Sequence, residues 1–275
     1  MAQSQPGILA PLASHGRFLT FSLAPGADPT RALASVAALE VDEGLVVGIG
    51  APLVPKARPF TALVGPGVSA PSTQGALWFC VRGDDPGEVL LRSRTLVAKL
   101  GPSFRLDEDM IAFKHREGRD LSGFVDGTEN PDGDEAVTTA IARDGASFVS
   151  IQRWAHDLDA LERLSPGERD LAIGRRLSDN EELADAPASA HVKRSAQESF
   201  SPEAFMVRRS MPYGDLREHG LYFVAYGASV DPFERVLRRM MGLEDGTVDA
   251  LFRFTRPVTG GNYWCPPVRE GRLVV

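Results

Sequence analysis

Cysteine is almost absent: Cys80 and Cys265 are the only two in 275 residues. Two cysteines so far apart build neither a disulfide framework nor a paired-cysteine zinc site, so a buried core has to hold the chain together. No apolar run comes near the roughly 20 residues that a membrane-spanning helix requires, and no membrane partner is expected. The opening Met1-Ala2-Gln3-Ser4-Gln5-Pro6-Gly7 lacks a basic stretch leading into an apolar one. Without that secretory pattern the expected location is the cytoplasm. Positive charge is also in deficit. With 30 Lys+Arg against 37 Asp+Glu, the formal net charge is -7. Such a surface is poorly suited to neutralising phosphates, so no nucleic-acid partner is expected. The local basic cluster Arg235, Arg238 and Arg239 falls on a helical pattern and reads as a solvated face.

What the chain does have is a repeated plan. Four segments combine a capping residue, a proline and a charged residue at the third helical position: Asp28-Pro29-Thr30-Arg31, Asp85-Pro86-Gly87-Glu88, Ser165-Pro166-Gly167-Glu168 and Asp231-Pro232-Phe233-Glu234. The cap oxygen accepts from free first-turn amides, and proline there costs no hydrogen bond. Glutamate at the third helical position predicts a capping box in the last three. After Asp231, the apolar residues Phe233, Val236, Leu237, Met240 and Met241 recur with helical spacing until Gly242. After Asp85, Val89, Leu90, Leu96, Val97 and Leu100 do the same before Gly101-Pro102. Strands are expected over 17–23, 44–50, 76–82 and 104–114, and again over 148–154, 204–209, 221–226 and 251–255. With a helix after the first and third strand of each set, the order strand-helix-strand-strand-helix-strand occurs twice. That order predicts an α+β fold of duplicated ferredoxin-like βαββαβ units, with antiparallel sheets covered by helices. The expected division is 1–140 and 141–275, with the boundary in the Gly/Asp/Thr-rich stretch 126–145. At 275 residues the chain is long enough for two such units.

This fold names no function, so the local motifs have to. The most unusual is Gly123-Phe124-Val125-Asp126-Gly127-Thr128-Glu129-Asn130-Pro131. Its glycines permit positive φ or close approach of the backbone to a ligand. Asp-Gly and Asn-Pro are also ordinary turn pairs, so from the residues alone the stretch is either a surface turn or part of a site. Its acidic residues lack the alternation of a calcium loop.

The motif resembles the signature of the dye-decolorizing peroxidases, and four further segments resemble the same family in order: Gln5-Pro6-Gly7-Ile8-Leu9, Ser189-Ala190-His191-Val192-Lys193-Arg194, Val207-Arg208-Arg209-Ser210-Met211-Pro212-Tyr213-Gly214, and Phe254-Thr255-Arg256-Pro257-Val258-Thr259-Gly260-Gly261 with Pro266-Pro267. The likeness covers nearly the whole chain and is to the cytoplasmic, B-type-like branch. It implies one haem b per chain, with His191 as the metal ligand and Asp126 on the opposite, peroxide-binding side. Arg208 is the implied distal arginine, and Ser210 a polar partner for bound peroxide. Asp249 is the expected carboxylate behind His191, although a helix cap explains it equally well. Arg209, next to Arg208, is expected on the other face of its strand. His15, His115, His156 and His219 match no family motif and are assigned to structure or surface; Met240 and Met241 are assigned to packing.

The implied activity is reduction of hydrogen peroxide with oxidation of dyes, phenolics or other small organic reductants through a high-valent iron intermediate. An aspartate with an ordinary pKa of about 4 would serve as the base at acidic pH. Competing readings are a haem carrier or haem iron-release protein, and a metal-free ferredoxin-like ligand-binding module. A homo-oligomer, dimer or larger, is expected.

Overall fold

The computed structural model describes residues 3–275. Strand β1 (His15–Leu23) is followed by helix α1 (Pro29–Ala37) and β2 (Leu45–Ile49). A small hairpin, β3 (Leu63–Gly65) and β4 (Val68–Ala70), precedes β5 (Leu77–Gly83), helix α2 (Pro86–Leu100) and β6 (Phe104–Phe113). After helix α3 (Gly133–Ala140) the plan repeats. It runs through β7 (Ser147–His156), helices α4 (Leu158–Arg163), α5 (Pro166–Ile173) and α6 (His191–Arg194), then β8 (Val207–Arg208), β9 (Met211–Gly214) and β10 (His219–Gly227). Helix α7 (Asp231–Met240), β11 (Thr255–Pro257), β12 (Gly261–Cys265) and a last hairpin, β13 (Val268–Arg269) with β14 (Arg272–Leu273), complete the chain. The first set of strands lies in the order β2-β5-β1-β6 and the second in the order β12-β7-β10-β9, all antiparallel. Each set puts its first and third strands in the middle, which is the ferredoxin-like arrangement, used twice in an α+β fold.

The two sets do not form separate sheets. β6 meets β9 at Ala112–Tyr213, and β12 meets β2 at Trp264–Ile49, so the strands close into a ring. Each seam rests on a single register pair, which makes side chains there important. At the β12–β2 seam the buried Gln5 acts as a staple. Its Nε2 donates to Val47 O at 2.8 Å and Pro266 O at 3.1 Å, while its Oε1 accepts from Val47 N at 2.8 Å. Gln5→Ala leaves buried backbone groups without partners. We expect it to cost about 2–4 kcal/mol, read as a lower denaturant midpoint with an unchanged slope.

Period-2 alternation sorts the side chains. Phe18, Trp78, Val149, Ile151, Tyr222, Val224 and Tyr263 fill the inside of the ring. Leu19, Phe79 and Val81 point outward under α1 and α2. In the second half, Trp154, Leu221 and Phe223 point outward under α7. Strands buried on both faces explain the nearly continuous apolar runs of 45–49 and 77–81.

Some local expectations fail for identifiable reasons. Residues 204–209 yield only the short β8, because Gln197 takes the amides of Ala204 and Met206. Residues 251–255 begin as a 3₁₀ turn, Ala250–Arg253, capped by Asp249, and extend only from Thr255. Of the three expected capping boxes, only Ser165–Glu168 closes in both directions. Asp85 accepts from Glu88 N at 2.9 Å without the return bond. Asp231 lies inside its helix with Val230 at the cap, and its carboxylate pairs with Arg58.

Candidate active site

The outward faces of β7 and β10 do not pack fully against the helices. Between them, α6, α7 and the loop 118–130 lies a cavity of about 960 Å³, counting its open mouth. Phe124, Ile173, Phe223, Phe233, Leu237 and Met240 supply apolar walls. Asp126, Arg208, His191, His156, Asp120 and Gln152 supply the polar groups. A motif near residue 126, a helix start at 191 and a strand near 208 thus converge on one space.

Asp126 is carried by a tightly wound loop. Asp126 N donates to Gly118 O at 3.1 Å, and Gly123 N donates to Asp120 O at 2.9 Å. Gly123 and Gly127, at φ 93° and 81°, make the turns on either side that an L side chain resists. Asn130 then reaches across to Arg208 itself: its Nδ2 donates to Arg208 O and its Oδ1 accepts from Arg208 N, both at 2.8 Å. Asp126 and Arg208 make no ion pair within 4.0 Å, so opposite charges face one space without closing it. The buried Arg208 Nε and Gln152 Nε2 have no hydrogen-bond partner among the described residues. Both side chains line the cavity, and an unpartnered buried donor is a group that an acceptor oxygen of a ligand can satisfy. Burial pushes the Asp126 carboxyl above the ordinary carboxylate value; the Arg208 guanidinium opposes this, and the charge of Asp120 adds to it.

His191 opens the short helix α6 and is partly exposed to the cavity. Its Nδ1 lies 2.8 Å from Asp249 Oδ2, and the Asp249 side chain is fully buried. Asp249 Oδ1 meanwhile accepts from Leu251 N at 2.8 Å. The carboxylate is therefore both the partner of His191 and the cap of the next turn, one oxygen for each. When Nδ1 carries the proton and donates it to Asp249, Nε2 is left free as the nitrogen that can bind a metal. Among the described residues no three His, Cys, Asp or Glu side chains gather into a metal cage. A metal at His191 would bring most of its coordination with it, as a macrocycle does.

Ser210 and Arg209 lie away from this space. Both line a second, more polar cavity behind the Asp126–Arg208 wall. The Ser210 hydroxyl nevertheless stands beside the Asp126 carboxyl and favours its charged form. Arg209 donates to the carbonyls of Leu9, Ala10 and Arg208, a structural use. The break between β8 and β9, not simple alternation, separates the two arginines.

Of the two roles expected for His156, structure or surface, the first holds, and it brings the residue to the cavity. It is not a surface residue: its side chain is only 4% exposed and lines the cavity. Its Nε2 lies 2.9 Å from Asp120 Oδ1, and its Nδ1 lies 2.7 Å from Thr255 Oγ1. Burial pushes the Asp120 carboxyl up, but its hydrogen bonds with His156 and Ser122 outweigh this and hold it below the ordinary range. The available signal was parity, since 152, 154 and 156 share one face of β7 and all three line the cavity. Met240 both packs in the core and lines this space.

Comparison with known proteins gives a consistent answer. Residues 117–270 match the family model described as Dyp-type peroxidase, C-terminal. The dye-decolorizing peroxidase of Mycobacterium tuberculosis is 32% identical over 88% of this chain and 75% of its own length. That of Mycolicibacterium paratuberculosis is 32% identical over 97% of this chain and 84% of its own. Among solved structures, DyPB from Rhodococcus jostii RHA1 superposes with a TM-score of 0.86 at 29% identity, covering 97% of both chains. A variant of that protein in complex with heme gives the same TM-score, 0.86.

Proposed function

The chain belongs to the Dyp-type peroxidase family, and we propose that its cavity reduces hydrogen peroxide with His191 holding the iron and Asp126 and Arg208 handling the peroxide. The protein is a haem-dependent peroxidase, and its substrates are hydrogen peroxide and a reductant. The cavity suits haem b, one per chain. Apolar walls fit the macrocycle, a carboxylate-anchored imidazole offers Nε2, and unpartnered buried donors at Arg208 and Gln152 await acceptor oxygens. Bound there, the haem supplies an iron that accepts two oxidising equivalents from peroxide and passes them on to dyes, phenolics or other small organic reductants.

The residues divide the remaining work. Asp249, by accepting from Nδ1–H, fixes the His191 tautomer and raises the basicity of the ligand. Asp126 would take a proton from one peroxide oxygen and return it to the other, directly or through one water. Arg208 stabilises the negative charge that grows as the O–O bond lengthens. Ser210, in the neighbouring cavity, acts on peroxide only through its effect on the Asp126 carboxyl. The observation that carries this reading is the convergence of Asp126, Arg208 and an Asp249-anchored His191 on one cavity while Asp126 and Arg208 stay unpaired.

The test is an absorption spectrum of haem-loaded protein before and after one equivalent of hydrogen peroxide. A Soret band that shifts and then returns on adding a reductant supports the reading. A band that peroxide only bleaches points to a haem carrier, and no band at all to a metal-free module.

The raised Asp126 pKa sets a pH expectation. Asp126 is a base only when ionised, so the rate of reaction with peroxide rises with pH through its pKa. That limb should lie above the ordinary carboxylate value of about 4, contrary to the acidic optimum that an unshifted aspartate would give. Asp120→Asn removes a repelling charge and should move the limb to lower pH, measured by stopped-flow absorbance across pH.

The same reading assigns the chain two halves, 1–140 and 141–275, a cytoplasmic location and a homo-oligomer. Ile111 on the open face of β6, and Leu216 at the β9–β10 turn, support association by being apolar and exposed. Light scattering on the purified protein decides that point.

A further inference from the structure

We propose that Asn130, at one end of the distal loop, and the His156–Asp120 pair, at the other, are positioning residues that set the gap between Asp126 and Arg208. The inference rests on the catalytic reading above but adds residues to which that reading gives no step. Asn130 is unusual in binding the backbone of Arg208 in both directions, at 2.8 Å each. This side-chain amide mimics a strand neighbour at the point where β8 ends, so Arg208 is held by the loop that carries Asp126. Three residues separate Asn130 from Asp126, and Asn130 N donates to Gly127 O at 3.1 Å to close the intervening turn.

The other end is tied to the sheet. Asp120 Oδ2 accepts from Ser122 N at 3.0 Å, Asp120 N donates to Phe124 O at 2.9 Å, and Oδ1 faces His156 Nε2. His156 stands at the end of β7 and is braced by Thr255, its register partner on β11. The Thr255 hydroxyl can either donate to His156 Nδ1, or donate to Ala155 O at 3.1 Å and accept from His156 Nδ1–H. The brace therefore survives in either protonation state of the ring. With both ends fixed, the loop cannot relax to let Asp126 collapse onto Arg208, although charge attraction favours that contact. An open gap of fixed width is what peroxide needs, because misplacement by about 1 Å costs on the order of 100-fold in rate.

The test compares Asn130→Asp, His156→Gln and Asp126→Ala as haem-loaded proteins. Asn130→Asp keeps the shape and one acceptor but turns its donor into a charge facing the Arg208 carbonyl. We expect Asn130→Asp to retain haem, to slow the reaction with peroxide by roughly 10–100-fold, and to raise hydrogen exchange at the amides of Arg208, Gly123 and Asp126. His156→Gln can still donate to Asp120 and should be milder on both measures. Unchanged exchange at these amides in Asn130→Asp overturns the positioning role, whatever the rates do. Faster exchange with a wild-type peroxide rate overturns it as well, provided Asp126→Ala is slow. If Asp126→Ala itself reacts like wild type, the catalytic reading fails, and exchange still reports whether the loop is held from these two ends.

Discussion

Replacing His191 with alanine is expected to weaken haem binding by at least about 100-fold and to move the Soret band of whatever haem remains. Loss of a partner one shell further out typically costs 10–100-fold, so loss of the ligand itself should cost no less. Asp249→Asn tests the mechanism more finely. The amide has nearly the same shape, but its two ends differ, whereas the carboxylate serves both neighbours as an acceptor. One oxygen faces His191 Nδ1 and the other faces Leu251 N. If the asparagine keeps its oxygen on Leu251 N, its N–H₂ meets Nδ1, and the ring must carry its proton on Nε2, the nitrogen meant for iron. If it turns over, two N–H groups meet at Leu251 and the cap is lost. Either way we expect haem affinity to fall by about 10–100-fold, read by titration of the apoprotein, with the cap-loss route also lowering thermal stability. Added imidazole should restore a Soret band to His191→Ala and leave Asp249→Asn little changed. A wild-type haem spectrum in His191→Ala would refute the assignment of the ligand.

Removing Arg208 should have the larger effect on peroxide chemistry. A stabilising charge and a positioned base are each worth about 10²–10⁴-fold, which leaves their order open until the surroundings are considered. Burial raises the Asp126 carboxyl, and Arg208 is the largest influence opposing that rise. Arg208→Leu therefore removes the charge stabiliser and also leaves Asp126 more protonated, disabling both parts of the machinery. Asp126→Ala removes only the base. We expect Arg208→Leu to be slower than Asp126→Ala, and the double variant to be no slower than Arg208→Leu at acidic pH, where Asp126 is already protonated. Raising the pH should partly restore Arg208→Leu but not the double variant. The measurement is the second-order rate of the Soret change with peroxide, at matched haem content, for the four proteins. Additive losses at every pH would mean that the two residues act independently.

The amino-acid order alone determined a good deal. Local rules acting over a few residues placed the helix starts after Asp28, Asp85 and Ser165. Apolar runs and their spacing gave the βαββαβ order in duplicate. The motifs around Asp126, His191 and Arg208 were legible only through their resemblance to a family, since a glycine-flanked aspartate is also an ordinary turn. Their convergence on one cavity was an expectation drawn from resemblance, and no local rule could supply it.

Tertiary structure decided what depends on residues distant in sequence. Closure of the strands into a ring depends on two seams and a glutamine contributed from the N-terminal end, none of which has a local signal. Gln197 diverted amides from an expected strand, since a buried amide takes whichever acceptor the fold delivers. Asp249 proved to be cap and partner together because its two oxygens see different neighbours. His156 reached the cavity wall through strand parity and the loop that brings Asp120 to it, which decided between its two expected roles, structure and surface. The ionisation of Asp126 depends on enclosure and on charges at Arg208 and Asp120, and the pairing with Arg208 in particular lies across the fold. Residue type and spacing fix local backbone preference and name the reactive groups. Burial, charge environment and mutual distance are properties of the folded chain, and they decide how those groups react.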